Sequence, residues 1–114
     1  MDDLYDIALR NDPDGPMVDM AAVRKFLLEV ADYIEVNGWT QYMAETMTGE
    51  VCVGGAARRL SQRVERETGH ADPRYGTAML YLAQQFGVHV TAWNDQQGMT
   101  KDEVLGTLRA LGSQ

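Results

Sequence analysis

Apolar positions along this chain recur mainly at helical spacing. Met20, Val23, Leu27, Val30 and Ile34 step by three and four, and Phe26, Leu28, Ala31 and Tyr33 widen that stripe. Asp19 stands where an N-cap belongs and Asn37-Gly38 where a helix stops, so the spacing predicts a helix over 20–36. A second helix is predicted over 55–67, with Val53, Ala56, Ala57, Leu60 and Val64 inward and Gly69 as its terminator. A third opens with Asp72 as N-cap and Pro73 at the first helical position, carries Tyr75, Met79, Leu82 and Phe86, and ends at Gly87. The last begins at the capping box Thr100-Lys101-Asp102-Glu103; Val104, Leu105, Leu108 and Leu111 follow, and Gly112 closes it.

The remaining segments break that period. Residues 39–43 and 51–53 are rich in aromatic, Thr and Val side chains, which predicts two short strands joined by a turn at Thr48-Gly49. Residues 88–93 alternate and read as extended, followed by a loop at Asn94-Asp95-Gln96-Gln97-Gly98. Near the start, residues 2–10 fit a short helix capped by Asp2, and Asn11-Asp12-Pro13-Asp14-Gly15-Pro16 breaks it. The expected organisation is an acidic arm over 1–16 and a single globular helical domain over 17–114. The expected fold class is mainly α, with about four helices and a minor β hairpin or small sheet. It becomes α+β if the short strands pair.

Composition narrows the function classes. The chain has 114 residues, 45% hydrophobic and 24% charged, which is ordinary for one domain able to bury a core unaided. Its formal charge is -7, which disfavours direct nucleic-acid binding and docking on anionic membranes. Residues 1–35 carry -6 of this and residues 36–114 only -1, so the acidity is local. One cysteine, an acidic rather than basic N-terminus and the lack of a long apolar run lead to a cytoplasmic expectation.

Several residues could carry chemistry. Cys52 precedes a helix, and His89, Asn94 and Asp95 follow downstream, the order of thiol, base and orienting group in papain-like hydrolases. A free cysteine more often packs as a small hydrophobe. Cys52, His70 and His89 match no zinc spacing, and no metal or other cofactor is implied. Gly54-Gly55 lacks the residues of a P-loop and suits close packing of a helix start. Trp39 and Gln41, and Trp93 with Asn94 and Asp95, are candidates for partner binding, since tryptophan dominates interface hot spots. Their structural alternatives are a core indole and an Asx-turn. Arg59, Arg63 and Arg66 lie a turn apart on the second helix, with Arg58 adjacent. They form either a solvated face or a clamp for the acidic arm.

Gly38-Trp39-Thr40-Gln41, Val51-Cys52 with Gly55-Ala56, and Ala92-Trp93-Asn94-Asp95 with Gly98 and Thr100 occur in this order. Together with Glu103-Val104-Leu105 and Leu108-Arg109 they resemble a small family of unknown function seen in actinobacteria and in the phages that infect them. The resemblance spans residues 22–111, and the run Gly54-Gly55-Ala56-Ala57 is smaller than the family's bulkier one. It implies a fold type and an origin, and no catalytic mechanism. The expectation is therefore a small cytoplasmic regulatory protein, phage-encoded, that binds a host protein without catalysis. The adaptable side chains of Met17, Met20, Met43, Met47, Met79 and Met99 suit that role, though methionine also fills cores. Alternatives are a Cys-His hydrolase-like enzyme and an acidic arm that mimics nucleic acid. The wide apolar face of the first helix also offers a route to a homodimer.

Overall fold

A computed structural model of the chain describes residues 18–114. The expected acidic arm, and the short helix predicted within it, lie outside the described residues. Five helices form among them: α1 (Met20–Asn37), α2 (Val53–Thr68), α3 (Arg74–Phe86), α4 (Val90–Asn94) and α5 (Lys101–Gly112). None is long and apolar enough to cross a membrane.

Helix α1 is the central element. Asp19 caps it, its carboxylate accepting the Ala22 N–H at 2.9 Å. Val23, Phe26, Leu27, Val30, Ala31 and Ile34 are all fully buried. That stripe packs chiefly against α5 and also against α2 and α3. The apolar face that could have met a second copy is thus covered within the chain. Fully burying each large aliphatic side chain contributes about 1.5–3 kcal/mol, so this helix anchors the fold.

The other helices start and stop for local reasons. Cys52 is the N-cap of α2, its Sγ accepting the Gly55 N–H at 3.2 Å. Gly69 and Gly87 end α2 and α3 in the left-handed region, where a missing Cβ removes the steric penalty. Asp72 accepts the Arg74 N–H at 3.0 Å at the start of α3. Thr100 accepts the Glu103 N–H at 3.1 Å and caps α5. Gly112 does not close α5 by leaving the helix. It is the helix's last residue, and a Cβ there would sit 2.7 Å from Leu28 Cδ2, so its smallness brings α5 against α1.

Two expectations need correction. No hairpin or sheet forms among the described residues. Val51 makes isolated bridges to both Trp39 and Glu45, so the connecting segment folds over itself rather than running back in register. Tyr42 interrupts any strand, because its φ is +69°. The segment predicted as extended over 88–93 contains α4, a single turn. The imidazole Nδ1 of His89 caps it by accepting the Thr91 N–H at 3.1 Å, and Val90 and Asn94 are buried. Packing and a cap override the strand preference of Val88, Val90 and Thr91.

Candidate functional site

The loop between α1 and α2 (residues 38–52) and the end of α4 are tied together by one buried amide. Asn94 is fully buried. Its Oδ1 accepts the Trp39 indole N–H at 2.9 Å and the Val53 N–H at 3.1 Å. Its Nδ2 donates to Thr40 O at 3.1 Å and to Asp95 Oδ1 at 2.9 Å. Gln41 donates from the other side to Asn94 O at 3.1 Å and Gln96 O at 2.9 Å. The Gly38-Trp39-Thr40-Gln41 and Asn94-Asp95 segments, remote in sequence, therefore form one hydrogen-bonded knot. Trp93 takes no part in it. Its ring stacks on Phe86, with centroids 4.1 Å apart and planes 8° from parallel.

The knot positions Tyr42. Asp95 Oδ1 accepts the Tyr42 N–H at 2.9 Å, which holds this residue in its left-handed conformation. The side chain is 72% exposed, Met43 beside it is 52% exposed, and Met47 is fully exposed. A second set of bonds closes the loop's far end. Thr46 and Thr48 donate their hydroxyls to the Glu50 carboxylate, and these bonds hold its pKa below the usual 4.5. Ala44 and Gly55 meet so closely that a Cβ on Gly55 would lie 2.0 Å from Ala44 O. Gly55 thus serves close packing at the start of α2, whereas a Cβ on Gly54 would meet nothing nearer than 3.8 Å, so the expectation of close packing holds for Gly55 and not for Gly54.

Beside this loop lies a cavity of about 300 Å³. Cys52 and His89 both line it, as do Arg58, Tyr75, Met79, Tyr42, Met43 and Asp95. Of the four candidate catalytic residues, the structure brings Cys52, His89 and Asp95 to one cavity. No hydrogen bond joins Cys52 to His89 among the described residues. Asn94 is on the same segment, yet its hydrogen bonds go to Trp39, Val53, Thr40 and Asp95. Nor do three or more His, Cys, Asp or Glu side chains gather as a metal would require, among the described residues.

The arginines divide differently from the sequence pattern. Arg59 holds Glu45 through two bonds of 2.6 Å, from Nε and Nη2, and this fork keeps the Glu45 pKa below 4.5 and raises that of Arg59. Arg63 and Arg66 line a separate cleft with Arg59. The acids of α1 are met instead by Arg74, which reaches Glu29 at 2.7 Å, and by Arg109, which binds Asp32 and Glu35.

Sequence reasoning missed the cluster around Arg74. Its guanidinium also makes two bonds to the buried Asp72, at 3.0 and 2.9 Å, and lies 4.7 Å from the ring centroid of Phe26. Asp72-Pro73-Arg74 suggested only a cap, and Glu29 lies far away along the chain. The Glu45–Arg59 pair was equally hidden, because the loop geometry sets it.

Neither the curated proteins nor the solved structures contain a match to this chain. A family model does match: residues 19–113 fit the family described as "Family of unknown function (DUF6197)".

Proposed function

We propose, for a chain that belongs to this family of unknown function, a non-catalytic role: it binds a segment of another protein at the mouth of the Cys52 cavity. The observation that carries this reading is Tyr42. A bulky residue at φ +69° costs on the order of 1–2 kcal/mol, yet here it is held by Asp95 with its ring out in water. Strain of that kind, fixed by a buried knot, presents an aromatic anchor at low entropic cost on binding. Met43, next in the chain, and Met47, in the same loop, add exposed and adaptable apolar side chains, and the cavity that Tyr42 and Met43 line offers a pocket for one partner side chain. The partner in this reading is a host protein, on the expectation of a phage origin.

Affinity capture from the source cell tests this reading. A protein retained by the wild-type chain is expected to be lost with Tyr42→Ala/Met47→Ser, while the melting midpoint stays the same or rises. Equal retention by both overturns it.

A second reading is a thiol-dependent hydrolase, favoured by the shared cavity of Cys52 and His89. Three facts weigh against it. Cys52 Sγ is engaged as a helix cap, His89 Nδ1 accepts from Thr91, and Asn94 orients neither. Thiol titration of the folded protein separates the two readings: slow modification of buried Cys52 favours the binding role, and rapid modification the enzyme.

A further inference from the structure

A second cleft, of about 190 Å³, opens where the end of α1, the loop at Gly49 and the exposed face of α2 meet. It shares no lining residue with the Cys52 cavity. Residues four and three apart on α2 place Arg59, Arg63 and Arg66 on it together. We propose that this cleft binds a phosphate monoester dianion.

The donor arrangement carries the argument. Glu45 fixes the Arg59 guanidinium through Nε and Nη2, which leaves both N–H groups of Nη1 for another acceptor. Arg63 and Arg66 make no ion pair among the described residues, even though Glu67 lies one turn beyond Arg63. Glu45 is the one acid among the lining residues, so three guanidinium charges face a single carboxylate. Of the α1 acids, Glu29 is bonded by Arg74, and Asp32 and Glu35 by Arg109, and none of the three lines the cleft. In a chain of formal charge -7, the lining itself is the local surplus of positive charge. A dianion with three terminal oxygens takes up forked donors from more than one arginine, which a single carboxylate does less well.

The test is a titration of the full chain with inorganic phosphate at constant ionic strength, followed through the arginine Nε–H and Gly49 amide NMR signals. Saturable shifts at Arg59, Arg63 and Arg66 are expected. Arg63→Gln/Arg66→Gln should weaken binding by at least about tenfold, the loss of one charge-assisted hydrogen bond or more. Lys25→Gln, exposed on α1 and outside the cleft, should leave it unchanged. A phosphoserine peptide that binds more tightly than phosphate places the group on a protein; equal affinity places it on a small ester. Non-saturating shifts, or the same response in the double variant, overturn the proposal. So do arginine signals that ignore phosphate but move with Asp2→Asn/Asp3→Asn/Asp6→Asn, which assign the cleft to the chain's own acids.

Discussion

Replacing Asn94 by alanine removes one side chain and unties four hydrogen bonds. The Trp39 indole N–H and the Val53 N–H lose their acceptor, and Thr40 O loses its donor. Asp95 keeps the Tyr42 N–H but loses the Asn94 amide that steadies it. A buried polar group left unpaired costs about 1–3 kcal/mol. The Val53 N–H is buried, whereas the Trp39 and Thr40 bonds are only partly so and water can reach them. The sum is therefore placed at about 3–4 kcal/mol, a large fraction of the roughly 5–15 kcal/mol that holds a domain of this size. With about 4–8 °C lost per kcal/mol, the melting midpoint of Asn94→Ala should fall by about 15–25 °C. Tryptophan fluorescence suits the assay, since Trp39 reports on the knot and Trp93 on the α3–α4 stack. Asn94→Asp separates hydrogen bonding from volume. It keeps the acceptor but sets a buried carboxylate against that of Asp95, which raises the folded-state pKa. The folded form then binds the proton more tightly, so this variant is most stable in acid and loses stability as pH rises toward the raised value. A midpoint for Asn94→Ala within about 5 °C of wild type, corresponding to about 1 kcal/mol, would refute the knot as the source of the loop's order.

Three further outcomes follow from the same contacts. Gly55→Ala should cost about 2 kcal/mol or more, since its Cβ meets the Ala44 backbone at 2.0 Å; Gly54→Ala, with nothing nearer than 3.8 Å, should stay within about 1 kcal/mol of wild type, and paired denaturant melts compare the two. Asp72→Asn leaves Arg74 with only Glu29 as a charged partner and should cost about 2–4 kcal/mol by urea unfolding, far more than an exposed ion pair. Glu45 should titrate below 4.5, and Arg59→Gln should return it there. Because its folded pKa is depressed, whatever stability the pair adds is present above the unfolded value and is lost as pH falls through the depressed one; NMR titration of the carboxyl checks both.

The helical part of this fold was legible from the chain. The stripe from Val23 to Ile34 is the core, and Asp19, Gly69, Gly87 and Thr100 act as the punctuation their residue types suggest. What misled was local preference in short segments. Residues 39–43 and 51–53 have strand composition, but their backbone partners come partly from Asn94 and Asp95, which no window of the sequence brings near. The same limit hid the ion pairs, because Arg59 with Glu45 and Arg74 with Glu29 meet only once helices and loop are placed. Trp39, Gln41, Asn94 and Asp95 were expected among the residues that meet a partner. The structure shows them hydrogen-bonded to one another, with Asp95 also holding the backbone of the exposed Tyr42; the binding surface proposed above is Tyr42 with Met43 and Met47.

That surface can be tested without knowing what it meets. A photo-crosslinking phenylalanine analogue placed at position 42 replaces an exposed ring by one of similar shape. The same analogue at position 36 replaces Val36, which is exposed on α1 outside the loop. In the source cell, position 42 should yield a discrete protein adduct and position 36 none. An adduct at both positions, or at neither, would contradict the assignment of Tyr42 as the anchor of a binding site.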